Sequence, residues 1–331
     1  MHTSRENNFV QTQRLAKLKN SETTGILAAL ASALFLGLSP VFGKLAINLG
    51  FSPYAVVAFR TSFAAALLFI VIFIFKRPLL YIFPVGLAGC MLAGIINGLG
   101  SLLYYQALNR LDVSIGLLLY ALYPFFVALW LTLDHEPLSR LTIFRVGLAG
   151  LATLLLTSIP IKSVDPIGAL MMIGSAILYA MHLPINQRVL FEVPAPTVAL
   201  YTLLSMSAVV VPVYLIFDRN LPPIHTSWAP VIGLTMVTFL SRISLFLGVK
   251  RIGGMQTALL GLAELFVAIL LGHLVLGERL SLLQWIGALG LGLSLLLVKA
   301  DRSQPKTRGG DGWLSWIRAP GLPKDIWGPF E

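Results

Sequence analysis

Three charged side chains fall inside long apolar stretches of the sequence. Glu264 is the only one of the 14 acidic residues that lies deep in such a stretch, and Arg60 and Arg242 lie in two others. An ionisable group at the centre of a bilayer costs about 2.5 to 3.5 kcal/mol on insertion scales. A buried carboxylate can exchange a proton or hold a cation, and a guanidinium can hold a carboxylate or phosphate. These residues are therefore the first candidates for a polar site.

Each of these residues also has a structural interpretation. Glu264 could form an ion pair with a neighbouring arginine or accept hydrogen bonds from backbone groups. Arg60 and Arg242 could equally hold Glu264 or the free carbonyls of a helix C-terminus. The sequence leaves both readings open.

Polar side chains recur at helical spacing in several of the same apolar stretches. Residues at i, i+4 and i+7 share one helix face, so such stripes predict a polar path between helices. The alternative is hydrogen bonding between helices, worth about 0.6 kcal/mol on average. His182 could shuttle protons or be a hydrogen-bonded structural residue. The candidates that the stripes add are Asn97, Tyr104, Tyr120, Tyr179 and His182.

Composition indicates what kind of element must position these residues. The 331 residues are 57% hydrophobic and 11% charged, whereas a soluble domain has roughly 25% charged residues. Apolar stretches of about 20 residues, long enough to cross a bilayer, recur from Gly25 to Lys299. We therefore expect an all-α membrane protein of ten transmembrane helices. The predicted spans are 25–47, 52–75, 83–107, 112–133, 140–159, 165–187, 195–217, 227–249, 254–276 and 281–299.

The distribution of basic residues predicts the orientation. With both termini in the cytoplasm, 16 of the 24 Lys and Arg residues lie inside and 5 outside. Cytoplasmic loops carry such an excess, so the bias favours this arrangement. Short loops and the lack of an Asn-x-Ser/Thr sequon fit a cell inner membrane. The charge of +10 lies in tails and alternate loops rather than on one face, so we expect no nucleic-acid partner.

The chain repeats itself weakly. Residues 25–33 match 168–176, and Pro53 matches Pro196, at a shift of 143 residues. Each half holds five predicted helices, an odd number, so the second half must enter the membrane inverted. Inverted repeats are typical of alternating-access transporters, with the binding site between the halves. The predicted segments are an N-terminal tail 1–24, a first repeat 25–160, a second repeat 165–299 and a C-terminal tail 300–331.

Short sequence segments carry a resemblance to a known family. They are Pro40-Val-Phe-Gly-Lys44, Phe59-Arg60-Thr-Ser-Phe63, Tyr123-Pro124-Phe-Phe-Val-Ala with His135-Glu136-Pro-Leu-Ser, and Ala263-Glu264-Leu-Phe-Val-Ala with Gly277-Glu278-Arg-Leu-Ser. Over residues 25 to 300 the chain resembles the drug/metabolite transporter superfamily, specifically proteins with two EamA domains. The resemblance implies ten helices, cytoplasmic termini, and export or exchange of amino acids, metabolites or drugs. Leu203 stands where the first repeat has Arg60, and Leu265 where the family often has proline.

The sequence thus favours a secondary transporter, an exporter or exchanger of small molecules with proton coupling as one option. A membrane-embedded enzyme is the alternative, and Asp134, His135 and Glu136 form its one candidate cluster. A passive channel is a third possibility. The sequence has no P-loop, and its single cysteine, Cys90, forms no metal-ligand pair, so we expect neither a cofactor nor a bound metal. The expected partners are a small-molecule substrate and the lipid bilayer.

Overall fold

The computed structural model describes residues 2–157, 165–219, 225–267, 281–301 and 312–317. Within these ranges the regular secondary structure is helical, and no strand occurs. The helices are α1 His2–Asn48, α2 Pro53–Phe75, α3 Pro84–Arg110, α4 Val113–Tyr120, α5 Tyr123–Leu133, α6 Arg140–Thr157, α7 Pro166–Leu190, α8 Ala195–Phe217, α9 Ala229–Ile252, α10 Gly254–Gly261 and α11 Leu282–Leu296. Residues 263–267 are also helical.

The predicted all-helical membrane class is confirmed. In the described part of the chain, seven helical segments are long and apolar enough to cross a membrane, and shorter apolar helices lie at Gly254–Val267 and Trp285–Leu296. Large apolar side chains cover the outside of the bundle; Leu289, for example, is 72% exposed. Such a surface is stable only against lipid. Against the ten predicted spans, the described part of the chain has seven clear spans and two shorter apolar helices.

Helix starts follow the local signals in the sequence. Pro53 opens α2 behind Ser52, whose hydroxyl accepts a 3.0 Å hydrogen bond from the Ala55 amide. Proline suits this position because its missing N–H has no partner in the first helical turn anyway. The predicted division between α9 and α10 is also confirmed, since Gly253 has a φ of 83° there. A residue without a Cβ adopts that backbone conformation without strain.

Two predicted spans are interrupted. The span predicted over 112–133 corresponds to one membrane-length apolar segment, Ile115–Leu133, but Ala121 and Leu122 form a turn within it, between α4 and α5. Pro124 explains this break: it has no N–H to donate, and its ring collides with the carbonyl of Tyr120 in a continuous helix. The span predicted over 254–276 has a similar break at Leu262. Its remainder, 268–276, lies outside the described residues.

Helices of each predicted half pack against helices of the other half. α1 packs along α9, and α3 packs along α7, so the first helix of each half lies against the third helix of the other. The second helices, α2 and α8, pack together, as do the fifth helices, α6 and α11. Each of these helix pairs joins a helix of the first half to a helix of the second half. Helices from both halves therefore enclose the space between the two halves.

Small residues allow the closest approach between helices. A Cβ atom added at Gly94 of α3 would lie 2.6 Å from the Thr202 carbonyl oxygen and from the Ser205 Cβ of α8. One at Gly98 would lie 3.2 Å from Val209 Cβ. Gly94 and Gly98 therefore allow the close contact between α3 and α8.

The chain ends differ from the tails expected from the sequence. α1 starts at His2 and continues through the predicted tail 1–24 into the first span. At the other end, residues 312–317 pack against α5, where the Trp313 indole nitrogen donates a 3.2 Å hydrogen bond to the Trp130 carbonyl. Of the predicted tail 300–331, residues 302–311 and 318–331 lie outside the described residues, as does Glu278 of the repeated Glu-x-Leu-Ser segment.

Candidate functional site

A polar cavity lies between the two halves, with a volume of about 60 Å³. Because one water molecule needs about 10 to 15 Å³ measured in this way, the cavity has room for about four or five waters. Helices α1, α2, α3, α4, α7 and α9 and the segment 263–267 all contribute to its wall. The site residues predicted from the sequence that line it are Arg60, Asn97, Tyr104, Tyr120, Tyr179, Arg242 and Glu264.

The eighth predicted residue, His182, lies behind the wall and does not line the cavity. Its side chain is fully buried, with Nδ1 against the Tyr179 carbonyl oxygen and Nε2 3.4 Å from Arg242 Nη1. A guanidinium only donates hydrogen bonds, so Nε2 must be the unprotonated acceptor and Nδ1 must carry the proton. This arrangement fits a neutral imidazole that supports Arg242.

Arg60 reaches the cavity from α2 and is held by uncharged groups. Its guanidinium donates hydrogen bonds to Thr238 Oγ1 at 3.2 Å and Ser101 Oγ at 3.1 Å. Its central carbon lies 5.0 Å from the centre of the Tyr105 ring, a distance that allows a cation–π contact. The side chain is buried, and Nε has no hydrogen-bond partner among the described residues.

Arg242 reaches the cavity from α9 and is likewise held by uncharged groups. In the amide orientation that satisfies both side chains, Asn97 Oδ1 accepts hydrogen bonds from Arg242 Nη2 at 2.7 Å and Nη1 at 3.0 Å. His182 is the other neighbour. The ion pairs found in the described ranges involve neither Arg242 nor Arg60.

Glu264 supplies the negative charge in the cavity wall. Its side chain is only 5% exposed, and within the described residues its carboxylate has no hydrogen-bond or ion-pair partner. The backbone of α1 approaches it closely, since a Cβ atom at Gly37 would lie 3.1 Å from the Glu264 carbonyl oxygen. A buried carboxylate without a partner can be neutralised only by a proton or by the cationic group of a ligand.

Four tyrosines, Tyr104, Tyr105, Tyr120 and Tyr179, form much of the remaining wall. The Tyr120 ring is the centre of the group, with ring centroids 5.0 Å from Tyr104, 5.4 Å from Tyr179 and 5.6 Å from Tyr123. Tyrosine presents an aromatic face that attracts cations and a hydroxyl that exchanges hydrogen bonds. The wall therefore combines positive, negative and aromatic surfaces.

Both interrupted spans break beside this cavity. The Tyr123 hydroxyl donates a 2.8 Å hydrogen bond to the Ala258 carbonyl, which in a continuous helix would accept from the Leu262 amide. The Leu262 amide instead bonds to the Leu259 carbonyl at 3.3 Å. The Tyr123 hydroxyl of the first half therefore contacts the second half at the break that precedes Glu264.

Sequence reasoning missed Tyr105 and Ser39, which also line the cavity. Tyr105 follows Tyr104 directly and so points about 100° away from the predicted stripe. Its contact with Arg60 depends on how α2 and α3 pack, which no local pattern contains. The pairing of Ser101 and Thr238 with Arg60 was equally hidden, although both belong to polar stripes.

The acidic residues of the candidate enzyme cluster, Asp134 and Glu136, form structural contacts. Asp134 Oδ2 accepts hydrogen bonds from Arg188 Nη2 at 2.6 Å and Nε at 3.0 Å, and its Oδ1 accepts from the Leu314 amide at 3.0 Å. Glu136 lies 3.8 Å from Arg188. Arg188 was expected in a loop, but it lies in the last turn of α7 and is buried.

A second buried ion pair joins Arg145 of α6 to Asp301, at 3.2 Å. Burial alone would raise the pKa of Asp301, but hydrogen bonds from Thr142, Gln256, Ser139 and Arg145 hold that pKa below its ordinary value. Thr142 Oγ1 donates to this carboxylate at 2.6 Å and Ser139 Oγ at 2.8 Å.

No group of three or more His, Cys, Asp or Glu side chains that could hold a metal ion occurs in the described part of the chain. Cys90 is buried in α3.

Comparison with known proteins identifies a family, a relative and a solved structure to which this chain is similar. The EamA-like transporter family matches residues 23–158 and again 166–300. The "Uncharacterized transporter YcbK" of Bacillus subtilis (strain 168) is 22% identical over 299 residues, which cover 85% of this chain and 94% of that protein. A solved structure described only as "Crystal structure of protein" has a similar fold, with a TM-score of 0.67, 17% identity, and coverage of 85% of this chain and 96% of that chain.

Proposed function

This chain belongs to the EamA-like transporter family, a family of membrane transporters, and we propose that it is a secondary transporter that exports or exchanges amino acids or other small metabolites. One observation carries the proposal: one cavity between the halves is lined by two arginines and a carboxylate for which the described residues supply no ion-pair partner. Burying charges without partners is costly, and a ligand of complementary charge would offset that cost.

The proposed architecture is ten transmembrane helices in two inverted five-helix repeats. The two family matches and the packing of helices of each half against helices of the other half support it. In this arrangement α4 and α5 form one interrupted span, and α10 with the helix that follows Leu262 forms its counterpart. Interrupted spans at the centre of a membrane are typical of transporter binding sites.

The proposed location is the cell inner membrane, with both termini in the cytoplasm. The excess of basic residues in the tails and alternate loops supports this orientation. It assigns the Arg188–Asp134 and Arg145–Asp301 ion pairs to the cytoplasmic end. There they close the bundle below the cavity, and alternating access requires them to separate.

Glu264 is the proposed coupling residue. A proton and the cationic group of a substrate would compete for the same carboxylate, because nothing else in the described cavity wall carries negative charge. Protonation on one side of the membrane then releases the substrate, and deprotonation on the other side permits rebinding. This competition makes the protein a proton/substrate antiporter.

The test is flux of radiolabelled amino acids and small metabolites in proteoliposomes, with and without a pH gradient. We expect saturable flux driven by the gradient in the wild type, and loss of gradient dependence in Glu264→Gln. Glu22→Gln is the matched control, since Glu22 is exposed at the start of the first span.

The outcomes separate the alternatives. Equal gradient-driven flux in Glu264→Gln and wild type would remove the coupling role of Glu264. Flux that does not saturate with concentration would favour a channel. Absence of flux for all compounds, with protein that remains monodisperse, would contradict transport of this substrate class.

A further inference from the structure

The charges in the cavity wall do not balance. Arg60 and Arg242 contribute two positive charges and Glu264 one negative charge, and the described wall contains no other ionised group at neutral pH. We infer that the substrate carries two negative charges and one ammonium group, with a net charge of −1. This inference rests on the proposed transport function and specifies the substrate class of the same site.

The two arginines are available for anions because neutral groups orient them. Asn97 and His182 position Arg242, and Thr238 and Ser101 position Arg60, without neutralising either charge. A guanidinium presents five N–H donors, and these contacts use only part of them. The remaining donors can bind a carboxylate or a phosphate oxygen.

None of the described acidic residues other than Glu264 lines the cavity. Asp134, Glu136 and Asp301 are held in contacts with Arg188 or Arg145. Asp165 pairs with Arg110 at an exposed helix end. The excess positive charge of the cavity therefore needs a counter-ion from outside the described wall, and the substrate supplies it.

Glu264 and the tyrosines provide the cation site. The Glu264 carboxylate has no competing partner among the described residues, so an ammonium group can pair with it directly. Tyr104, Tyr120 and Tyr179 line the same cavity and offer aromatic faces to a cation. An anion lacking the ammonium group would leave this carboxylate unpaired.

The size of the cavity favours a small substrate. Space for about four or five waters fits a small amino acid better than a peptide or a nucleotide. Two chemistries meet the charge requirement: an α-amino acid with a second carboxylate, and a small amine that carries a phosphate monoester.

Matched compounds test the charge requirement in wild-type proteoliposomes preloaded for counterflow. L-Aspartate meets it, L-asparagine lacks one negative charge, and succinate lacks the ammonium group. O-Phosphoethanolamine tests the phosphate alternative. We expect L-aspartate or O-phosphoethanolamine to have a KM at least tenfold lower than L-asparagine and succinate.

Substitutions assign each charge to its residue. Arg60→Gln should reduce the preference for L-aspartate over L-asparagine to near unity, and Glu264→Gln should do the same for L-aspartate over succinate. Arg110→Gln, which removes an exposed arginine, should change neither ratio. Each ratio is measured within a single variant, so a smaller folded fraction does not alter it. If a variant does not fold, the wild-type panel still decides.

Two results would overturn the inference in different ways. Transport of L-asparagine or other neutral amino acids at least as well as the anionic compounds would refute the charge requirement and leave the transporter proposal standing. Lack of saturable flux for every compound in both panels would contradict both.

Discussion

The hydroxyl of Tyr123 donates its hydrogen bond to the carbonyl of Ala258, at 2.8 Å, across the boundary between the two halves. A Cβ atom at Gly261 would collide with this same hydroxyl. One side chain of α5 therefore contacts the turn that precedes Glu264 and also requires glycine at position 261. The candidate coupling residue follows a turn that the other half contacts.

A double-mutant cycle tests this relationship. Tyr123→Phe should cost about 1 kcal/mol through the lost hydrogen bond. Gly261→Ala should cost about 1 to 3 kcal/mol through overpacking against the hydroxyl. The double variant should lose less stability than the sum, because phenylalanine lacks the colliding oxygen. Thermal unfolding in detergent ranks the stabilities of the wild type, the two single variants and the double variant.

Gly147→Ala is the control for this cycle, since a Cβ atom there would meet nothing within 4 Å. It should leave the unfolding temperature unchanged or raise it slightly. Strictly additive effects of the two substitutions would show that Tyr123 and Gly261 do not interact.

Asp134→Asn should destabilise the folded protein strongly. It removes the carboxylate that pairs with the buried Arg188 guanidinium at 2.6 Å and leaves only Glu136, 3.8 Å away, and loss of one member of a buried pair costs about 3 to 5 kcal/mol. The matched control is Asp165→Asn, because its pair with Arg110 is exposed and asparagine still caps α7. That control should cost less than about 1 kcal/mol. Similar unfolding temperatures for the two variants would contradict the structural role of Asp134.

Stability should fall at acid pH through Asp301. Its pKa is lower in the folded protein than in the unfolded chain, so the unfolded state binds a proton more readily. The contribution of Asp301 to the free energy of unfolding is therefore complete above about pH 4, the ordinary pKa range of aspartate. It is lost as the pH falls through the lowered pKa of Asp301. Unfolding temperatures measured from pH 6 to pH 3 should decline less steeply in Asp301→Asn. Parallel curves of unfolding temperature against pH for the wild type and Asp301→Asn would show that Asp301 is not the source of the acid destabilisation.

Asn97→Asp should weaken binding of an anionic substrate. The new carboxylate would face the two terminal nitrogens of Arg242, which lie 2.7 and 3.0 Å from the Asn97 amide oxygen, and would neutralise the charge that the substrate needs. We expect the KM for L-aspartate in counterflow to rise at least tenfold. Asn109→Asp adds the same charge at an exposed position of α3 and should not raise it. An unchanged KM in Asn97→Asp would show that Arg242 does not hold the substrate anion.

Much of the cavity wall was predictable from residue type and helical spacing. A polar stripe on an apolar helix avoids lipid, so stripes on several helices tend to face a common interior. Asn97 and Tyr104 on α3 and Tyr179 on α7 meet on that principle. His182 belongs to the same stripe as Tyr179, yet it lies behind the wall. Spacing along a helix predicts which face a residue occupies, but not whether neighbouring helices cover that residue.

The helix interruptions show a second limit of local patterns. Pro124 is visible in the sequence and explains the break between α4 and α5 through its missing N–H. The break at Leu262 has no proline nearby. The nearby hydrogen bond joins residues 135 positions apart, and only the packed structure brings Tyr123 to Ala258.

Composition and hydropathy are sufficient to establish a helical membrane protein, because the cost of burying backbone and charge in lipid acts on every residue separately. Ion pairing is different, since it depends on distances between helices far apart in the chain. Arg145 and Asp301 meet across 156 positions and Arg188 and Asp134 across 54. Arg60, Arg242 and Glu264 face a common cavity without being paired with one another. Which charges neutralise each other, and which remain available to a substrate, is decided only when the helices pack.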